Sequence, residues 1–268
     1  MDKIIFITGV SSGIGKKCAE YLSGLGHKVY GTSRQLVSED LPYQILKMDV
    51  TDKASIQQAV QKVLDREKKI DVLINCAGIG IGGSIEEYTD EEIKKQFDTN
   101  FFGPLNMCRA VIHSMRKNNG GLIINISSLG GLMGLPFQGI YSATKYAIEG
   151  LSEALRMELK SAGIKVVLIN PGDFNTKFTD NRKPSLNQNE NSNYKEQYNK
   201  TIKVIENDER NGSEPIKIAV KISKIINKKS PEYRYLIGGF EQTLFARSKA
   251  ILPSKWFAAI LRDHYKVK

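Results

Sequence analysis

The sequence predicts an α/β fold: a single doubly wound domain built on a seven-stranded parallel sheet, with helices on both faces. Three observations predict it. Short apolar, β-branched runs alternate with helix-period patterns from end to end, which is the signature of repeated strand-helix-strand units. A glycine-rich turn joins the first of these runs to the first helical pattern. No internal repeat with a period of about 20–50 residues interrupts the alternation.

Taken in order, the apolar run at 3–8 is a first strand, too short for a signal-peptide core and leading straight into the glycine turn. Helical spacing follows at 14–24, then strands at 28–33 and 44–49. The stretch 35–43 between them is too short, and too broken by Pro42, to make a good helix. A helix at 53–67 leads to a strand at 70–75, and a long helical pattern at 90–117 leads to a strand at 121–126. The last units are a helix at 141–161, a strand at 164–170, a helix at 214–228 and a strand at 233–237. Ligands of open α/β sheets bind beyond the carboxyl ends of the strands. The polar segment after the sixth strand, Asn/Ser/Lys-rich around 181–200, therefore reads as part of a substrate lid spanning 173–213. The whole chain, 1–268, is one domain, and 240–268 forms a C-terminal extension broken at Pro253.

Composition excludes several classes. No run is long enough to cross a bilayer, so a soluble, cytoplasmic protein is expected. The formal charge of +10 comes from lysines spread without a dense basic block or interleaved aromatics, which argues against nucleic acid as a partner. Cys18, Cys76 and Cys108 are odd in number and sit in apolar contexts, as core residues of a reducing compartment do. Neither they nor the scattered His27, His113 and His264 suggest a metal site.

The turn Thr8-Gly9-Val10-Ser11-Ser12-Gly13-Ile14-Gly15 lies where a strand meets a helix N-terminus, a place where unpaired amides and the helix dipole favour a dinucleotide pyrophosphate. At the end of the second strand, a carboxylate would hold the ribose of NAD and repel an added phosphate. The chain has Ser33 and Arg34 there instead, and a guanidinium is a bidentate partner for phosphate, so NADP(H) is expected in preference to NAD(H).

Tyr141 and Lys145 fall one helical turn apart on one face. An ammonium beside a phenol stabilises the tyrosinate, which would lower the Tyr141 pKa and make it a usable general acid for the oxygen of a carbonyl being reduced. Ser128, thirteen residues upstream at a strand's carboxyl end, supplies a hydroxyl for that oxygen, whereas strand alternation sends Ser127 the other way. A second Tyr-x-x-x-Lys pair, Tyr43 and Lys47, has Tyr30 at the serine position and fails the pattern.

With these motifs together, nearly the whole chain resembles the short-chain dehydrogenase/reductase family, and its hydroxysteroid and retinol dehydrogenase branch in the C-terminal extension. The resemblance implies a Rossmann-type domain. It rests on the Thr8 to Gly15 turn, on Asn75-Cys76-Ala77-Gly78 with Cys76 in place of an Asn, on Tyr141 to Lys145, and on Pro171-Gly172 with Thr176. It implies that Asn100 is a fourth catalytic residue whose backbone helps hold a relay water, and that Asp49 and Val50 contact adenine. It further implies that Asn75, Ala77 and Gly78 lie alongside the ribose, that Thr176 touches the carboxamide, and that Lys145 also bonds the nicotinamide ribose. By the same token a homodimer or homotetramer is expected, through the helices at 90–117 and 141–161. Ile79, Ile81, Leu132, Met133, Leu135, Phe137 and Phe174 are the expected pocket walls, and no Arg or His among them would clamp a carboxylate. This favours an apolar carbonyl or alcohol substrate.

Two competing readings differ in kind. A sugar-nucleotide epimerase-like enzyme shares the Tyr-x-x-x-Lys chemistry but resembles a longer chain with a differently spaced glycine turn. A non-catalytic NADP-binding regulator would not need the full set of Ser128, Tyr141, Lys145 and Asn100. The basic amphipathic pattern of the extension also fits a membrane surface, although burial against the domain is favoured.

Overall fold

The computed structural model describes residues 2–35 and 40–268, so 36–39, within the stretch 35–43, lie outside the described residues. Seven parallel strands form the main sheet: β1 (Ile4–Thr8), β2 (Lys28–Ser33), β3 (Gln44–Lys47), β4 (Val72–Asn75), β6 (Gly121–Ile126), β7 (Ile164–Pro171) and β9 (Arg234–Ile237). Their spatial order is β3-β2-β1-β4-β6-β7-β9. The chain starts in the middle, winds outward through β2 and β3, then returns across β1 to β4, so the topological switch and its crevice lie between β1 and β4.

Alternation within each strand builds two cores. Ile5 and Ile7 point to one face, with Ile74, Ile124 and Val167, and are covered by Cys18 and Leu22 of α1 (Gly13–Gly24) and by Ile218 and Ile222 of α8 (Ile216–Ile226). Ile4 and Phe6 point to the other, with Leu73, Ile123 and Val166. There α2 (Lys53–Glu67), α4 (Gly103–Lys117) and α5 (Gly139–Glu158) contribute Val63, Met107, Val111 and Leu155. Burial on both faces explains why these strands read as unbroken apolar runs.

The expected strands are all present, with β1, β3, β4 and β9 shorter than their apolar runs. The single helix expected at 90–117 is replaced by three pieces: α3 (Asp90–Phe97), a π turn at Asp98–Phe102, and α4. The cause is in the sequence. Pro104 has no N–H, so the regular bond to the Asn100 carbonyl four residues back cannot form. The Asn100 side chain is also held elsewhere: its amide donates to the Ile79 carbonyl and its Oδ1 accepts from the Ile79 N–H, both at 2.9 Å.

The segment 173–213 holds more regular structure than its polar composition suggested: α6 (Lys177–Asn181), β8 (Lys183–Pro184) and α7 (Lys195–Arg210). β8 pairs in parallel with β5 (Ile81–Gly82), and the Ser213 N–H donates to the Asp173 carbonyl at 3.0 Å, clasping the two ends of the segment together. The extension forms α9 (Phe240–Ser248) and α10 (Ser254–His264), separated at Pro253 as expected. Phe245 stacks on Phe257 at 4.5 Å, and both pack with Leu129 and Met133 just beyond β6. Thr201 of α7 donates to the Tyr265 carbonyl at 2.9 Å and ties down the end of the tail. No helix is long and apolar enough to cross a membrane among the described residues.

Candidate active site

One cavity of about 1360 Å³ opens at the carboxyl ends of the central strands, running from the β2 end past the first glycine turn to the underside of the tail. At its base the Thr8 hydroxyl accepts the Cys76 and Ala77 N–H groups at 3.0 and 3.1 Å, locking the ends of β1 and β4 together. The turn leaves no room for side chains. A Cβ at Gly15 would lie 2.2 Å from the Gly9 carbonyl oxygen, and one at Gly9, whose φ is +75°, would lie 2.8 Å from the Ala77 Cα. Ser12 precedes α1 without capping it through its side chain. The glycine cradle and the N–H groups it presents fit a pyrophosphate. Gly9, Ser11, Ser12, Gly13, Ile14 and Gly15 all line the cavity, as do Ser33, Arg34, Asp49, Val50, Ala77, Gly78, Pro171, Gly172 and Thr176. The residues therefore fit an extended dinucleotide along the strand ends. Asp49 also caps its own turn, accepting Thr51 N–H at 2.9 Å. Thr176 faces the glycine turn, 3.4 Å from where a Gly13 Cβ would stand.

Asn75 is the exception, for it is not a cavity wall. Its amide turns into the sheet and donates to Asn125 Oδ1 at 2.8 Å, and Asn125 donates in turn to the Ser152 hydroxyl. Asn100 is likewise buried behind the wall, 1% exposed. Its Nδ2 reaches Thr144 at 3.3 Å, and its Oδ1 would lie 3.4 Å from a Cβ at Gly78. It thus sits beside Lys145, whose Nζ is 4.0 Å from the same point.

Ser128, Tyr141 and Lys145 all face the cavity. Around Gly130, a Cβ would meet Ser128 Oγ at 3.4 Å and the Tyr141 ring at 3.5 Å, while the Gly130 N–H donates to Ser128 Oγ at 3.0 Å. Ser127 points behind this surface, towards Gly131, as alternation requires. Lys145 Nζ donates to the Ile126 carbonyl at 3.0 Å and lies 5.6 Å from the Tyr141 ring centre.

The electrostatics correct one expectation. Burial pushes the Tyr141 phenol up to about 12, and a hydrogen bond from Ser128, rather than the Lys145 charge, works most strongly against that rise. Lys145 is itself brought down to about 8 by burial, with Cys76 and Glu149 opposing the shift. Loss of water dominates at both groups because the helix face that carries them is inside the protein. At neutral pH the phenol keeps its proton, the state a donor requires.

The substrate end of the cavity differs from the expected apolar pocket. Ile79, Ile81, Met133, Leu135 and Phe174 are walls as expected. Leu132 instead packs under the tail, and Phe137 meets the rings of Tyr194 and Tyr198 at 6.3 and 5.7 Å. Phe178 stands 5.7 Å from the Tyr141 ring. The tail adds Phe245, Leu261 and Tyr265, and polar residues join them: Asp173, Asp208, Glu209, Gln242 and His264. His264 contradicts the expected absence of histidine from the walls, and it is held 2.9 Å from Asp208 Oδ2. Glu209 accepts Thr179 at 2.7 Å and pairs with the buried Arg182. Asp173 accepts the Gln242 amide through Oδ2. Burial, then Glu209 and Asp208, raise the Asp173 carboxyl to about 6. Sequence reading missed these residues because they come from 173, 208–209, 242 and 264 and converge only through the fold. The position of Asp173 directly after Pro171-Gly172 was the one local clue.

A family profile for short chain dehydrogenases matches residues 3–187. A protein of Bacteroides thetaiotaomicron named 3-ketodihydrosphingosine reductase is 48% identical over 266 residues, covering 99% of both chains. The NADPH-dependent 3-dehydrocapnine reductase of Ornithobacterium rhinotracheale is 30% identical over 275 residues, covering 97% of this chain and 96% of its own. The crystal structure of a short-chain dehydrogenase from Streptomyces avermitilis superposes with a TM-score of 0.83 at 30% identity, covering 99% of this chain and 97% of that one. The fold, the glycine cradle and these likenesses agree, and the chain belongs to the short-chain dehydrogenase/reductase family of oxidoreductases.

Proposed function

We propose that this protein reduces, with NADPH, the ketone of a long-chain amino ketone of the 3-ketodihydrosphingosine kind. The observation that carries the reading is the mixed character of the substrate end: aliphatic and aromatic walls, with the Asp173 carboxylate among them on the cavity that holds Tyr141. A 3-ketodihydrosphingosine joins a long alkyl chain to a ketone with an amino group on the neighbouring carbon. An ammonium beside Asp173 would offset the cost of burying that carboxylate with other acids around it.

When bound, the nicotinamide supplies a hydride. The glycine turn would hold its pyrophosphate, and Arg34 the extra phosphate that distinguishes NADP. Ser128 donates a hydrogen bond to the carbonyl oxygen, which strengthens as negative charge gathers there. Tyr141 gives its proton to that oxygen, and Lys145 would hold the ribose while steadying the tyrosinate left behind. Asn100, fixed by Ile79, keeps its backbone carbonyl outside the regular helical bonding because Pro104 cannot reach it, and so offers an acceptor for a proton relay.

The test follows NADPH oxidation with 3-ketodihydrosphingosine and with the same ketone lacking the amino group. The amino ketone is expected to have the lower KM, and Asp173→Asn to raise that KM roughly 10-fold or more while leaving the deaminated ketone little changed, a loss in the range of a charged hydrogen bond. Equal KM values for the two ketones would remove the amine from the reading. No turnover of any ketone would favour the non-catalytic regulator.

A further inference from the structure

We propose that the C-terminal extension docks the protein onto an anionic lipid bilayer, placing the rim of the substrate cavity at the membrane surface. Packing on the domain was the favoured expectation for the extension, with a membrane surface as the alternative. The structure shows a helix pair with one face packed and another bare. Phe257 and Ala246 are buried, whereas Ile251 is 86% exposed, Phe240 79%, Trp256 64%, Leu244 55% and Ile260 48%. Phe240 and Leu244 lie one turn apart on α9, and Trp256 and Ile260 one turn apart on α10, so the exposure follows helix faces rather than scattered positions.

The charge around this apolar surface selects the occupant. Residues 240–268 carry six Lys and Arg against two acids, Glu241 and Asp263. An apolar helix face with Trp among basic residues is the composition of a helix lying in the interface of an anionic membrane. A further copy of this chain, equally basic there, would be repelled across the same face. Ile260 links surface to site: half exposed, it is also a wall of the cavity, next to Leu261, which lines it as well. A long-chain substrate dissolved in the bilayer would then meet the cavity mouth without crossing water. This purpose rests on the reading of the substrate as a long-chain lipid; the binding itself does not.

Trp256 is the sole tryptophan, so the intact protein reports its own docking. Its emission is followed while vesicles of phosphatidylcholine, with or without one-third phosphatidylglycerol, are added in the absence of cofactor and ketone. Anionic vesicles are expected to shift the emission to the blue and to bind roughly tenfold or more tightly than neutral ones, with salt weakening the binding. Sedimentation with the vesicles should agree. Ile251→Ser with Lys255→Glu, both outside the cavity, should abolish the shift and the sedimentation. An unchanged emission with every vesicle overturns the proposal. So does a blue shift that grows with protein concentration alone, because a second copy then covers the face. A vesicle-dependent shift in a protein that reduces no ketone would leave docking standing and sink the catalytic reading instead.

Discussion

At Tyr141, desolvation and hydrogen bonding pull in opposite directions, and desolvation wins, holding the phenol near 12 while the neighbouring Lys145 falls to about 8. A phenol that keeps its proton suits the proposed delivery of that proton to an oxygen acquiring negative charge. At the other end of the cavity Ser33 and Arg34 stand at the wall where a carboxylate would select NAD, and the proposed NADPH preference rests on them. Arg34→Asp is expected to lower kcat/KM for NADPH roughly 10- to 100-fold, the worth of about 1.5–3 kcal/mol for a charge-assisted bond, and to leave that for NADH unchanged or raised. Steady-state rates with both cofactors read this out, and an equal loss for the two would remove Arg34 from cofactor selection. Tyr141, Lys145 and Ser128 were legible in the sequence because helical spacing puts the first two on one face, while strand alternation and the thirteen-residue spacing single out Ser128. Asn75 was not, because its side chain faces a buried partner, Asn125, on a neighbouring strand fifty residues away.

The helix break at Asp98–Phe102 shows an element shaped for its site. Pro104 removes one backbone bond, and Asn100 fastens the break to Ile79 at the edge of the cavity, next to β5. Asn100→Ala should therefore loosen both the π turn and the Gly78–Ile79 wall. The expected stability loss is about 2–3 kcal/mol, the scale of leaving buried backbone partners unpaired, together with a fall in kcat larger than any change in NADPH affinity. Denaturant unfolding and cofactor titration measure the two parts. A variant with wild-type stability and kcat would show that the break has no role. The pattern at 90–117 hid this interruption because amphipathic spacing continues through it, and only the proline marked it. The polar composition around 181–200 similarly concealed β8, which is ordered by pairing with β5, and the start of α7, which buries Tyr198, Thr201 and Ile205 and is tied to the tail through Thr201.

On the scale of the whole molecule, one cavity is assembled from the first glycine turn, the ends of β4, β6 and β7, the 173–213 segment and the tail. The alternating apolar pattern revealed the sheet and its switch point, and therefore where the cofactor end of the cavity must lie. The substrate end depends on how two distant segments fold back over the strands, which no local pattern records. That is why an apolar pocket was expected and a cavity with Asp173, Asp208 and His264 was found. The same closure leaves an apolar face of the extension exposed, with Ile260 both on that face and on the cavity wall. The proposed function turns on one proton donor at its centre, Tyr141. The most direct measurement is single-turnover reduction of the amino ketone by Tyr141→Phe alongside NADPH binding. The expected result is a rate at least about 100-fold below wild type, the lower end of what a general acid contributes, with NADPH affinity unchanged. Reduction at the wild-type rate would contradict the account.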